Sequence, residues 1–266
     1  MKFRLLSAVL LTAIMFSCSS DDDNAPAPGA DQNYMPLAQG NNWVYDVEGA
    51  EYSERDSLYV ANDTTISGNT YHKMKTLELP FGFYSGTLDN NGLRKVNGAV
   101  LASGNAGLNF GGMLPIDLMI HDFMIFDSNA SANQQLASIE GTTSQEISGY
   151  PLNINYTLTS TAGQSVPTYN SPDGTTYENV ISVTVKLNME ITTTVVFGGF
   201  EVEVPVLNAQ DVVTSQRFYA KNIGMVYSTT NLTYELQDFS EFNFELPIPQ
   251  SADEIQTETL ATYNVE

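Results

Sequence analysis

The chain has one cysteine, Cys18, two histidines, His72 and His121, and one tryptophan, Trp43. A single thiol closes no internal disulfide and builds no cysteine zinc site, and two histidines exclude a three-histidine metal centre. Basic residues are scarce as well: ten Lys and Arg stand against thirty-one Asp and Glu, a formal charge of −21. So negative a chain repels phosphate backbones and has little to gain from counterion release, which argues against nucleic acid as a partner. No apolar run reaches the roughly 20 residues a helix needs to cross a bilayer. What is present is 42% hydrophobic residues, with fourteen Tyr and thirteen Phe in 266 residues. That is enough to fill a folded core.

The chain opens with a short basic stretch, Met1-Lys2-Phe3-Arg4, and then a twelve-residue run, Leu5 to Phe16, broken only by Ser7 and Thr12. The length suits the h-region of a secretory signal peptide. The run leads into Met15-Phe16-Ser17-Cys18. This resembles the bacterial lipobox, which implies cleavage before Cys18 and lipidation of that residue. Without the resemblance, Cys18 reads as a spare thiol beside an ordinary signal peptidase site. Several acyl chains on one residue anchor stably where a single chain does not. Ser19-Ser20-Asp21-Asp22-Asp23 follows. It resembles the acidic export signal of surface lipoproteins in the Bacteroidota, and implies an outer-membrane protein facing the exterior. As plain chemistry, the same run is a solvated acidic spacer. Asn24 to Asn33 (NAPAPGADQN) reads as a low-complexity tether. The expected organisation is a signal peptide over 1–17, a lipidated tether over 18–33, one β domain over 34–249 and a C-terminal tail over 250–266. Removing 1–17 takes away Lys2 and Arg4 and no acid, so the mature chain is more negative still.

Within the body, period-two alternation dominates, the mark of strands with one buried face. Ile181, Val183, Val185, Leu187, Met189 and Ile191 alternate with Ser182, Thr184, Lys186, Asn188 and Glu190. Carried on to Phe197, such a strand spans roughly 55 Å at about 3.3 Å per residue. Gly198-Gly199 then supplies a two-residue hairpin turn. A return strand carries Phe200, Val202, Val204 and Val206, with Pro205 on the outward register marking an edge or a bulge. Further strands are predicted over about Val212–Tyr219 and Met225–Leu236, and around Leu152 to Leu158. Helical periodicity is nearly absent. Strands this long must coil, so the predicted fold is all-β: one large curved antiparallel sheet or partly open β-barrel with little helix.

Met113 to Phe126 (MLPIDLMIHDFMIF) fits neither period. Adaptable methionines at Met113, Met119 and Met124 suit a core plug or a lid over an apolar ligand on the concave face.

Near the start of the body stands Tyr34-Met35-Pro36-Leu37 with Gly40-Asn41-Asn42-Trp43-Val44-Tyr45. Near its end stands Tyr219-Ala220-Lys221-Asn222-Ile223-Gly224-Met225-Val226. Together these resemble a broad group of bacterial lipoproteins of unknown function. The resemblance implies no chemistry, and it is similar only at fold level to half-barrel lipoprotein carriers. On their own terms, Trp43 and Tyr45 share one face of a first strand and anchor a core. Gly224 supplies a positive φ at a turn.

Catalytic motifs are missing. There is no Gly-x-Ser-x-Gly elbow, and Gly107 to Gly112 lacks the Lys-Ser/Thr of a phosphate loop. His121 beside Asp122 reads as a structural histidine. Asp89-Asn90-Asn91-Gly92 and Asn170 to Gly174 read as turns rather than calcium loops. Asp56-Ser57-Leu58 and Asp63-Thr64-Thr65 resemble sites of O-glycosylation on exported Bacteroidota proteins, at Ser57 and Thr64. No catalytic residue, metal site or cofactor is assigned. The reading expected is a lipid-anchored, non-enzymatic surface protein that binds a partner such as a glycan or serves the envelope structurally. The rival is a carrier or sensor of an apolar small molecule, and a glycoside hydrolase ranks third.

Overall fold

A computed structural model describes residues 32–109, 115–116, 118–147, 149–238 and 249–266. Cys18, the Ser19–Asp23 run and Met113 lie outside the described residues. Strand accounts for 71% of the structure and helix for 3%, which makes the fold all-β.

The strands in chain order are β1 (Asn42–Glu48), β2 (Ser53–Ile66), β3 (Asn69–Thr76), β4 (Gly92–Val96), β5 (Ala99–Asn105), β6 (Leu108–Asn109), β7 (Pro115–Ile116), β8 (Met119–Asp127), β9 (Gln135–Ile147), β10 (Tyr150–Asn170), β11 (Thr176–Phe197), β12 (Phe200–Ala220), β13 (Gly224–Glu235) and β14 (Ser251–Asn264). Among the described residues there is a single helix, α1 (Phe83–Leu88), between β3 and β4. Twelve strands form one antiparallel sheet in the order β8-β5-β4-β3-β2-β1-β14-β13-β12-β11-β10-β9, while β6 and β7 pair separately. The sheet curls until its two end strands approach, giving a barrel with one unsealed seam between β8 and β9. The Ser160 hydroxyl of β10 crosses this seam to the Met124 carbonyl at 2.5 Å.

The alternation of β11 is realised residue by residue. Its odd positions from Ile181 to Ile191 are buried and the even ones are partly or fully exposed. Gly198 and Gly199, with φ of 61° and 88°, make the tight turn into β12. Three corrections follow from irregularities that hide the alternation. The two strands expected around Phe200–Val206 and Val212–Tyr219 are one strand, β12. Its register against β11 shifts beside the Pro205–Thr192 pair, so the proline sits at a bulge. Residues 250–266 are no tail, because β14 is a central strand paired with β1 and β13. Finally, the broken period of 113–126 has a local cause in β8. Asp122 takes φ 50°, and the β5–β8 register shifts there, so Leu118 and Ile120 before it and Phe123 and Ile125 after it all turn inward.

The residue that makes the bulge is held firmly. Arg94 donates Nε and Nη2 to the Asp122 carboxylate at 2.8 and 2.6 Å, and the Tyr71 hydroxyl donates to it at 2.5 Å. Bonding to Arg94 holds the Asp122 carboxyl down at about 2.

At the end where β1 begins, Tyr34, Met35 and Leu37 are buried beside Trp43 and close the barrel. Ring contacts continue this seal inward: Tyr34–Phe126 at 6.4 Å, Phe126–Tyr219 at 4.8 Å and Tyr219–Tyr84 at 6.2 Å. The opposite end, at the β1–β2 turn, carries a groove.

Candidate functional site

The connection from β3 to β4 folds into the barrel as a plug. Pro80, Gly82 and Gly86 keep it from forming more than the six-residue α1. Its buried members are Tyr84, Ser85 and Leu88. Gly82, at the N-cap, offers no side-chain hydrogen bond, so the first backbone N–H groups need acceptors from elsewhere. The sheet provides them. Asp56 of β2 accepts the N–H groups of Phe81 and Gly82 at 3.0 and 2.7 Å. Gln256 of β14 accepts that of Phe83 at 2.6 Å. Glu258, two residues on, accepts those of Tyr84 and Ser85 at 2.5 and 3.2 Å, and the Ser85 hydroxyl at 2.8 Å. Five consecutive amides are thus satisfied by three side chains of the wall. Burial pushes the Glu258 carboxyl up to about 7, against the pull of the hydrogen bonds it accepts.

This arrangement explains why β14 has so faint a strand pattern. Its inward positions, Gln256 and Glu258, are polar because they serve the plug. It also bears on hydrolysis: Asp56 and Glu258 are two inward acids, but both are buried and committed to backbone amides.

Above the plug lies a groove of about 490 Å³, walled by Tyr52, Leu79, Pro80, Phe81, Phe83, Val213, Thr230, Leu232, Ile255 and Gln256. Leu79, Phe81 and Ile255 on its rim are 87%, 55% and 60% exposed. Phe83, Thr87 and Val213 line both it and an inner, largely apolar void of about 40 Å³, which is also lined by Leu88, Leu118, Ile120, Phe123, Ile125, Leu158, Leu187 and Arg217.

The residues singled out from the sequence fall in several places. Residues 118–125 line the inner void as part of the wall, and the cover over the concave face is the 77–91 plug. Met119 points outward and Met124 is half-buried; neither lines the void or the groove. Ser57 is half-buried in β2, and the neighbouring Asp56 and Leu58 face the interior. Thr64 lies near the β2–β3 turn beside Asp63, which pairs with His72 at 2.8 Å. His121 is exposed, 3.9 Å from an Asp122 already bound by Arg94. Both Asn/Asp/Gly clusters form turns, with Asn90 at φ 61° and Asp173 accepting the Thr175 N–H. Among the described residues there is no group of three or more His, Cys, Asp or Glu placed to hold a metal ion. Nor is any of their helices long and apolar enough to cross a membrane.

Two features escaped the sequence reading. The plug has no period of its own. Arg217 was visible as a basic residue on the inward register of β12, between Val213, Ser215 and Tyr219, and that is the signal that marks it.

A second concavity of about 490 Å³ lies over β9–β12 and is polar, with Glu140, Thr142, Asn155, Asn188 and Glu190 in its lining. The aromatic stack Tyr169–Phe218, with centroids 4.4 Å apart, lies elsewhere on the sheet.

Comparison with family models, with curated proteins and with solved structures gives no match.

Proposed function

We propose that the chain is a lipid-anchored protein of the outer membrane, held by Cys18, that binds a small apolar or amphiphilic molecule in the groove at the mouth of its barrel. The observation that carries the binding reading is the groove itself. About 490 Å³ falls within the roughly 300–1,000 Å³ of small-molecule sites. Its rim leaves Leu79, Phe81 and Ile255 in water, where a contiguous apolar patch is unfavourable unless something covers it. The lipobox-like Met15–Cys18 and the acidic run Ser19–Asp23 support the anchor and an outward-facing location. The excess of acid supports solubility of a tethered domain.

A glycan on the polar concavity over β9–β12 is the second reading, supported by the amides of Asn155 and Asn188 and the carboxylate of Glu190. Its lining offers one half-buried ring, Tyr156, to stack on a sugar, against the several exposed apolar side chains of the mouth groove, which places it second.

Two experiments test the proposal. Membrane fractionation of a Cys18→Ser variant should release the protein, and retention at wild-type level would overturn the anchor. Fluorescence titration of the mature chain with the neutral probe N-phenyl-1-naphthylamine should saturate with one site per chain and fail in Phe81→Asp. An equal signal from that variant would overturn the groove.

A further inference from the structure

Arg217 is 3% exposed, and its side chain lines the inner void. Its guanidinium forms no ion pair among the described residues. Its contacts are few. Nε donates to the Ser215 hydroxyl at 3.1 Å, the charge lies 5.8 and 5.2 Å from the ring centres of Phe83 and Tyr84, and the Tyr219 phenol is beside it. The two buried acids among the described residues are turned to the plug: Asp56 to Phe81 and Gly82, Glu258 to Tyr84 and Ser85. Rings offset part of the cost of burying a cation, but a guanidinium is shaped for two oxygens of one anion. A buried charge without that partner is an expensive feature to keep.

A second observation lies next to it. In the β12–β13 register Ser228 stands opposite Arg217, and its buried hydroxyl has no hydrogen-bond partner. One cation and one free hydroxyl are therefore neighbours on the inward face of the same two strands.

We propose that Arg217 is the head-group site of the mouth groove, and that the ligand is an amphiphile bearing one carboxylate. The volumes agree with this division. The inner void, about 40 Å³, holds on the order of three waters, room for a carboxylate but not for an alkyl chain. The chain of the ligand passes Phe83, Thr87 and Val213, which line both spaces, and lies in the outer groove against Leu79, Phe81 and Ile255. The cation lies deep in the barrel and Leu79, Phe81 and Ile255 stand in water at the rim, where Asp89 and Glu254 also enter the lining. This inference rests on the binding reading of the groove and adds the ligand's chemical class to it.

The test is displacement of N-phenyl-1-naphthylamine from the mature chain by decanoate and by decanol, at low and at high salt. Wild type should prefer decanoate to decanol by about 10- to 100-fold, the worth of a hydrogen-bonded charge pair. Arg217→Met should abolish that preference, and Arg217→Lys should keep part of it, with circular dichroism confirming the fold of each variant. The wild-type ratio stands without any variant. Equal affinity of wild type for decanoate and decanol would overturn the inference, as would an undiminished preference in a folded Arg217→Met. Decanol binding without preference for decanoate removes the carboxylate site alone. Failure of both compounds and of the probe to bind removes the groove reading, and the inference with it.

Discussion

Trp43 donates its indole N–H to the carbonyl of Ile223 at 2.5 Å, across 180 residues of chain. Two residues along β1, the Tyr45 hydroxyl donates to the Met225 carbonyl at 3.1 Å. The two short motifs noticed near the ends of the domain are therefore one structural unit, in which the β12–β13 turn is fastened to the first strand. Both aromatic side chains are fully buried, so each polar tip needs a partner, and the carbonyls of Ile223 in the turn and Met225 at the start of β13 are those partners.

Gly224 completes this joint. It takes φ 117°, and a Cβ there would stand 2.8 Å from the Trp43 indole nitrogen. Gly224→Ala should destabilise the domain by about 2 kcal/mol or more, from backbone strain and from displacement of the indole together. Urea unfolding followed by Trp43 fluorescence measures it. A loss near zero would show that the joint yields without cost.

Gly82 is the corresponding position of the plug. A Cβ there would lie 2.2 Å from Glu258 Oε2 and 2.9 Å from Asp56 Oδ2. Gly82→Ala must push away both acceptors and leave the amides of Phe81, Gly82, Tyr84 and Ser85 unpaired. The expected loss is about 2–3 kcal/mol. Hydrogen exchange should show protection falling first at those four amides, and unchanged protection there would contradict the assignment.

Glu258 makes stability depend on pH in a stated direction. Its folded value of about 7 lies above the ordinary 4.5 because burial penalises the charged form. Its contribution is fully present below about 4.5 and is lost as pH rises through about 7. Between those limits wild type should lose stability relative to Glu258→Gln, by on the order of 3 kcal/mol at most. Parallel pH profiles of the two proteins would refute it.

Asp122 combines a φ of 50° with the Arg94 ion pair. Asn tolerates that backbone but surrenders the charge, so Asp122→Asn should cost about 1–2 kcal/mol. Asp122→Val adds strain and should cost roughly 1–2 kcal/mol more. Thermal melts of the pair rank the two effects. Equal stabilities would mean that the bulge relaxes.

Strands whose inward positions are apolar were legible from alternation alone, as β11 shows. Those that failed to announce themselves were altered for a reason. The inward face of β14 is polar at Gln256 and Glu258 because it receives the plug's amides, and β8 changes parity at Asp122. The plug was hidden because its conformation comes from three acceptors distant in sequence, Asp56, Gln256 and Glu258, rather than from any local period. For the same reason, no pattern in 77–91 could reveal that these residues cover the concave face. The curvature of the sheet, by contrast, followed from strand length, since long strands twist.

The central claim is that the mouth groove holds the ligand. It is tested most directly by irradiating the mature chain with an aliphatic diazirine alcohol and mapping the labelled residues by peptide mass spectrometry. The account predicts labels on Leu79, Phe81, Phe83 and Ile255 that decanol competes away. Labelling concentrated on the exposed Val196–Val202 hairpin tip, or spread evenly and indifferent to decanol, would contradict it.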